Sequence, residues 1–173
     1  MKKILLLTSL LNLSACTSYQ VPNSPLFAAD SRWAIMPMLN NSNTPLATEK
    51  VEQILRVQLY AKGIDSAMYP THEPQDLTSI LDRTAKQTKA QDWLASQSVD
   101  YVITGSVEEW HYKSGLDGEP AVGITLEVRS ALNKTTYWRA TGTRAGWGRE
   151  SLSGTGHIVL KELLDGLNIE QKK

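Results

Sequence analysis

The sequence predicts an α/β domain built on a mixed sheet of about five strands flanked by helices, in the order βαβαβββα. Two observations lead to this prediction. Strand-like and helix-like segments alternate in the first half of the chain, which is typical of a partly parallel sheet. Three strand-like runs separated by turn residues then follow, at Tyr101–Trp110, Ala121–Leu132 and Thr136–Ala145, and these indicate an antiparallel meander.

The first half supplies two strand–helix pairs. Residues 32–38 contain a continuous apolar run, which suits a strand buried on both faces. Thr44 and Pro45 resemble the N-cap and first turn of a helix that ends at Gly63. Residues 64–69 form a second short strand. A second helix begins near Thr84 with a capping-box pattern, and its buried side is expected to contain Ala90, Trp93 and Leu94.

The meander is the clearest pattern in the chain. In its middle run, apolar residues alternate with polar residues or glycine, so one face is buried and the other is solvated; the apolar positions are Val122, Ile124, Leu126 and Val128. Trp110 and Trp138 fall within strands and are expected in the core or in a packing interface. A last helix over residues 153–164 completes the domain, with Gly156 in its first turns permitting close backbone approach.

The N-terminus has the pattern of a lipoprotein leader. Lys2 and Lys3 precede a short apolar core, and small residues lead to Cys16, the single cysteine of the chain. We therefore expect residues 1–15 to be a signal peptide, residues 16–31 a lipidated tether with a covalent lipid on Cys16, and residues 32–173 one domain. The alternative is an ordinary signal peptide with a chance cysteine.

The charged residues argue against one class of function and are unevenly distributed along the chain. Without Lys2 and Lys3 the chain carries a net charge of −2 and has no basic stripe, which argues against nucleic-acid binding. Among charged residues, acidic ones predominate between Asp100 and Glu127, and all those between Arg129 and Arg149 are basic. Two electrostatic poles are expected if these segments lie apart in space.

No residue set indicates catalysis, so we expect that the chain is not an enzyme and that it holds neither a metal nor a cofactor beyond the lipid. His72, His111 and His157 lie far apart in the sequence. Glu109 and His111 share a strand face, but a pair of this kind is a weak metal signal beside the solvated strand end that is its ordinary explanation.

Two surface features remain. Carboxylates gather where the first run of the meander meets its turn, and we call this group the acidic corner: Glu108, Glu109, Asp117 and Glu119. They are either a solvated hairpin tip or, if copies of the chain surround an axis, part of a ring of negative charge that attracts a cationic polymer. Trp147, with Arg149 nearby, suits a membrane interface or a protein contact, or else folds back onto the core.

Four motifs resemble the PelC family, the outer-membrane lipoproteins of the Pel exopolysaccharide export machine. They are the RWAIMP run at 32–37, the TGSVEEW run at 104–110, the LDGEPAVG run at 116–123 and the RAGWGRESLSG run at 144–154. The similarity covers nearly all of the mature domain. More distantly, the order of strands and helices resembles the N-terminal domain of TolB and the curli secretion lipoprotein.

The resemblance implies a homo-oligomeric ring, a dodecamer in the characterised fold, anchored by lipid to the outer membrane and facing the periplasm. An electronegative funnel in this ring would guide the cationic Pel polysaccharide to the porin PelB. Glu108, Glu109, Asp117 and Glu119 would lie on or near the funnel, while Trp147 and Arg149 would face the membrane. Thr17, which follows Cys16 where inner-membrane retention uses Asp, agrees with outer-membrane sorting.

A second function stays open. A periplasmic lipoprotein of the same fold could act as a monomer that activates a cell-wall synthase. The two functions differ in assembly, because only the first requires many copies.

Overall fold

A mixed sheet of seven strands and three helices make up the residues described in the computed structural model, which are 17–70, 83–115 and 118–170. The elements in chain order are β1 (Thr17–Gln20), β2 (Trp33–Ile35), β3 (Leu39–Asn40), α1 (Ala47–Ala61), β4 (Ser66–Met68), α2 (Arg83–Ala95), β5 (Tyr101–Tyr112), β6 (Pro120–Ser130), β7 (Thr136–Ala145) and α3 (Leu152–Leu164). The signal peptide predicted over residues 1–15, Cys16 and Asp117 lie outside the described residues.

The sheet has the order β1-β7-β6-β5-β2-β4, with β3 paired to β5 beyond the end of β2. Strands β2, β3 and β4 join by parallel pairing, whereas β5, β6, β7 and β1 are antiparallel. The predicted fold class, a mixed sheet flanked by helices, is therefore confirmed. The two strands beyond the predicted five are β1 and β3, which are short and lack an apolar alternation.

Helices cover the two faces of the sheet unequally. α1 and α3 pack on one face, where the main core contains Leu55 and Leu160 from the helices and Ile103 and Leu126 from the strands. On the other face, Ala90 of α2 packs in a smaller cluster near Val102. Neighbouring residues Val102 and Ile103 thus point to opposite faces, as the pleat of a strand requires.

The segment predicted as a tether is instead part of the folded domain from Thr17 onward. β1 forms an edge strand against β7, and Asn168 donates two hydrogen bonds to Ser24, one of 2.8 Å from its backbone amide to the Ser24 hydroxyl and one of 2.9 Å from its side-chain amide to the Ser24 carbonyl. The Phe27 ring is buried and meets Trp33 edge-on, with ring centroids 5.1 Å apart. Pro22 and Pro25, residues that are typical of a linker, here lie in a segment that follows the domain surface.

The start of α1 also differs from the prediction. Leu46, in a left-handed conformation with φ of 58°, precedes the helix, and no side chain caps its first turn. Thr44, the predicted N-cap, donates its hydroxyl proton to the carbonyl of Trp110 and so ties the helix entry to the end of β5. Gly63 ends the helix as predicted, with φ of 84°.

The predicted electrostatic poles are wrong, because the antiparallel pairing of β6 with β7 mixes the two charged segments. Glu127 lies opposite Arg139 in the ladder and accepts ion pairs from both Arg129 and Arg139. Arg144 pairs with Glu150 at 3.2 Å. Hairpins bring residues that are remote in sequence side by side. A count of charges along the sequence therefore does not predict the electrostatic potential of the folded domain.

Candidate functional site

One end of the sheet brings the start of β1 next to the end of β7. Thr17 pairs with Arg144, and Trp147 follows three residues later with 60 % of its surface exposed. Arg149 is also exposed and has no ion-pair partner within the described ranges. Because Thr17 is bonded to Cys16, the predicted lipid position and the exposed indole belong to the same end of the molecule.

Backbone hydrogen bonds and close packing fix the turn that carries Trp147. The amide of Gly146 donates to the carbonyl of Pro120 at 2.8 Å, and the amide of Glu150 donates to the carbonyl of Trp147 at 2.8 Å. A Cβ atom at Gly146 would lie 2.6–2.9 Å from Glu150, Pro120 and Thr155, so only glycine fits there. The indole therefore projects from a rigid turn.

Other apolar side chains are exposed at this end. Tyr112 lies at the end of β5, where its hydroxyl accepts a hydrogen bond of 3.2 Å from the amide of Leu152. Leu46 lies at the start of α1, which Thr44 ties to the end of β5. Trp147, Tyr112 and Leu46, which we call the aromatic end, form the mixed aromatic and aliphatic rim that suits a membrane–water interface.

A β-bulge explains the first pair of predicted acidic residues. The pairing of β5 with β6 shifts between Val107 and Glu109, so Glu108 has no partner across the ladder. The Cβ of Glu108 and the amide of Glu109 both lie near Gly123, and both carboxylates are exposed at consecutive positions. An unbroken strand would have sent one of them to the buried face.

The remaining acidic residues do not join this pair. Glu119 lies beyond the end of β5, where its carboxylate is 3.6 Å from the ammonium of Lys113. About four residues of extended strand, roughly 13 Å, separate Glu109 from Lys113 along β5. The acidic corner is thus two separate places, one at the bulge and one at the hairpin between β5 and β6 beside the aromatic end; Asp117, in this hairpin, is outside the described residues.

Between α2 and the uncovered part of the second sheet face lies an open cavity of about 610 Å³, which we call the trough. Its floor includes Thr104, Ser106 and Thr125, and Glu108 lies on its rim. Glu127 is buried at 5 % exposure between two guanidinium groups near the other end. Sequence reasoning missed the trough, although the polar positions of β5 and β6 recur with the period of one strand face.

Within the described ranges, no group of three or more histidine, cysteine, aspartate or glutamate residues is arranged to hold a metal ion. His111 is exposed, and His157 lies on α3 beside Gln58, with 3.3 Å between the side-chain nitrogens. Across the same ranges, no helix combines the length and the apolar character needed to span a bilayer.

Solved structures of other proteins share this architecture. No protein-family model matches the chain, and no curated protein sequence is significantly similar to it. Among solved structures, a dodecamer of PelC from Paraburkholderia phytofirmans is 33 % identical, with a TM-score of 0.74; the match covers 90 % of this chain and 99 % of that one. A second PelC dodecamer from that organism, a single-substitution variant, is 32 % identical over the same coverage, with a TM-score of 0.73.

A more distant match shows how widely the fold occurs. The lipoprotein GNA1162 from Neisseria meningitidis is 15 % identical, and its match covers 78 % of this chain and 96 % of that one, with a TM-score of 0.54. The chain thus falls into a class of single α/β domains with this mixed sheet, a fold that includes a bacterial lipoprotein. Within that class, its identity and near-complete overlap with PelC are decisive: the chain belongs to the PelC family.

Proposed function

We propose that this protein is a ring-forming lipoprotein of the outer membrane that guides a cationic exopolysaccharide, Pel, through the periplasm to the porin PelB. The observation that carries the proposal is the pairing of Thr17 with Arg144, which puts the residue after Cys16 at the same end as the exposed Trp147. Support for a ring comes from the 33 % identical PelC, which was solved as a dodecamer.

Anchoring would use two signals at one end. A lipid on Cys16 would insert into the inner leaflet of the outer membrane, where each buried methylene contributes about 0.8 kcal/mol. The indole of Trp147 and the cation of Arg149 would lie at headgroup level, where aromatic and basic side chains are favoured. The rigid turn around Gly146 would hold the indole ready for this contact, and the strands would run along the ring axis.

The acidic residues would act through repetition. Neither the bulge pair Glu108 and Glu109 nor Glu119, which is paired with Lys113, makes a strong site in one subunit. Copied around a ring with Asp117, they would create a negative passage that raises the local concentration of an amino-sugar polymer without holding it tightly. Weak repeated attraction is what a moving polymer requires.

The test reverses the charge of carboxylates that the proposal assigns to the passage. In cells, Glu109→Lys combined with Asp117→Lys and Glu119→Lys should lower exported polymer several-fold, while membrane localisation and assembly remain normal. Asp30→Lys combined with Glu162→Lys and Glu170→Lys is the matched control, because all three residues are exposed carboxylates outside the meander and the charge changes by the same amount. Unchanged export by a triple variant that still assembles would refute the guiding role.

The open alternative, a monomer that activates a cell-wall synthase, makes a different prediction. Sedimentation of the domain without Cys16 should show a large oligomer if the ring proposal holds. A monomer that forms a 1:1 complex with a synthase would support the alternative instead.

A further inference from the structure

Part of the second sheet face is left open by the helices. α2 packs near β2 and β5, whereas β6, β7 and β1 carry no helix on that side within the described ranges. Ser106, Thr125 and Thr141 form a row across three strands, and the hydroxyls of Thr125 and Thr141 are hydrogen-bonded at 3.0 Å. Ser106 and Thr125 of this row, together with α2 side chains, line the trough, a concave surface about 610 Å³ in volume.

The trough is amphipathic rather than fully solvated. Leu39 stands on its upper wall with 52 % of its surface exposed, and Leu94 contributes an apolar patch from α2. Arg129 and Arg139 flank the buried Glu127 at the lower end. The Nε of Arg129 is buried without a hydrogen-bond partner among the described residues, so one donor at this end is left unsatisfied in the single subunit.

On the opposite side of the subunit, α1 shows an apolar ridge to solvent. Val57 is 62 % exposed and Tyr60 is 74 % exposed, and the two are three residues apart on one helical face. The buried residues Val51 and Leu55 lie on the other side of the same helix, in the main core. Exposed side chains of this size, adjacent on a helix, are typical of an interaction surface.

We propose that the Val57–Tyr60 ridge of one subunit docks into the trough of the next subunit, and that this is the repeating interface of the ring. The inference rests on the proposed function, since it requires a ring. Head-to-tail rings need two different complementary surfaces on separate sides of each subunit. The ridge lies outside the α1–α3 layer and the trough lies across the sheet from it, so the two meet this condition.

The two surfaces also match in level along the strands. Thr44, just before α1, is bonded to Trp110 at the end of β5, and this contact fixes a common starting height. Val57 is ten residues beyond Ala47, the first residue of α1, which is about 15 Å along the helix. Ser106, on the trough floor, is four residues down β5, about 13 Å. A cyclic ring whose axis follows the strands keeps every residue at its own height, so ridge and trough can meet.

Charge favours the same arrangement. Lys50 on the exposed side of α1 has no ion-pair partner within the described ranges. Lys50 is three residues beyond Ala47, about 5 Å along the helix, and Glu108 on the trough rim is about 7 Å below Trp110 along the strand. Glu108 would then face the neighbouring subunit, and Glu109, Asp117 and Glu119 would supply the charge of the passage. At the lower end, the ring of Tyr60 would face the guanidinium groups of Arg129 and Arg139, an arrangement that favours cation–π contact.

The test uses one variant on each surface. In the full domain without the lipid, Tyr60→Asp on the ridge and Leu39→Asp on the trough wall should each raise the concentration needed for half-assembly by about tenfold or more, as a central interface residue does. Leu26→Asp is the matched control, because Leu26 is 65 % exposed on the N-terminal segment, away from both surfaces. Thermal unfolding checks that each variant is folded.

Mixing the two variants gives the sharper result. Tyr60→Asp keeps an intact trough and Leu39→Asp keeps an intact ridge, so an equal mixture should form dimers through one restored interface but no closed ring. A face-to-face interface would give no such rescue, since each surface would then be needed twice.

The outcomes separate the two proposals. A wild-type ring that both variants leave intact, or that Leu26→Asp disrupts equally, overturns the ridge-and-trough interface and leaves the ring itself standing. A wild-type chain that sediments as a monomer overturns both this interface and the proposed export role.

Discussion

Gly156 of α3 lies directly against the indole ring of Trp110 on β5. A Cβ atom at position 156 would be 2.6 Å from Cη2 and 2.7 Å from Cζ3 of the indole. Trp110 is itself buried at 1 % exposure beneath the helix, so the ring has no room to withdraw. A glycine that weakens the helix thus allows α3 to approach the sheet closely enough to close the core.

Gly156→Ala should destabilise the domain by about 1–3 kcal/mol, because overpacking of the Trp110 ring exceeds the gain of about 1 kcal/mol in helix propensity. The measurement is the free energy of unfolding in urea. Gly154→Ala, two residues earlier on the same helix, is the matched control. Its Cβ would approach only the Ser151 hydroxyl, at 3.1 Å, so its effect should be near zero or stabilising. Equal effects of the two variants would contradict the packing role.

Much of the fold could be predicted from local pattern. β7 has the predicted bounds, and β5 and β6 agree within two residues, because turn residues and alternation mark strands that are buried on one face. Trp110 and Trp138 are buried, as expected. β1 escaped prediction since Tyr19 is its single large apolar residue; its pairing depends on the edge that β7 offers, a tertiary property absent from the local sequence.

Glu52 makes the stability of the domain depend on pH. Its buried carboxylate accepts hydrogen bonds of 2.8 Å from the amide of Met38 and the hydroxyl of Tyr69, and the ammonium of Lys86 is 4.0 Å away. Burial raises the pKa of Glu52 above its usual range, against the opposing effects of Lys86 and the two hydrogen bonds. Burial and the Glu52 charge also raise the pKa of Tyr69.

The folded state therefore holds the Glu52 proton more tightly than the unfolded chain does. The stability that this group contributes is fully present below the usual glutamate pKa and is lost as the pH rises through the raised pKa. Glu52→Gln cannot titrate, so wild-type stability relative to this variant should fall across that window and then level off. Urea unfolding at a series of pH values measures the difference, in which groups common to both proteins largely cancel. Parallel curves would exclude a raised pKa.

Glu127 should stabilise the trough mainly by holding two arginines. Arg129 and Arg139 are 41 % and 64 % exposed, so water screens both ion pairs and the cost of Glu127→Ala should be about 1–2 kcal/mol rather than the larger value of a fully buried pair. Adding Arg139→Ala should recover part of the loss, because it removes the repulsion between the guanidinium groups. Glu162→Ala, on an exposed carboxylate, should change the free energy of unfolding by less than about 0.5 kcal/mol.

Trp147 should contribute to membrane affinity without contributing to folding. We expect Trp147→Ala to reduce binding of the non-lipidated domain to anionic vesicles by about tenfold or more, since a large apolar ring buried at the interface is worth on the order of 1–2 kcal/mol per subunit and the losses add in an assembled ring. The urea midpoint should stay unchanged because the ring is exposed. Tyr137→Ala, at the other end of β7, should leave vesicle binding as it is. Equal loss in both variants would place the contact elsewhere.

The candidate site was harder to predict than the fold. The exposure of Trp147 and Arg149 agrees with the sequence hypothesis, but their roles stay predictions. The acidic corner divided into two places because a bulge at Glu108 and an ion pair at Glu119 depend on strand register. The trough and the ridge could not be found from the sequence either, since each combines residues from elements that meet only after folding.

The position of β1 has a consequence for motion. Because Thr17 is already locked in the sheet, any group attached to residue 16 is separated from a rigid body by a single peptide unit. A spin label at that residue should therefore report the slow rotational diffusion of the whole particle. A label at the end of a long flexible linker would instead report fast local motion.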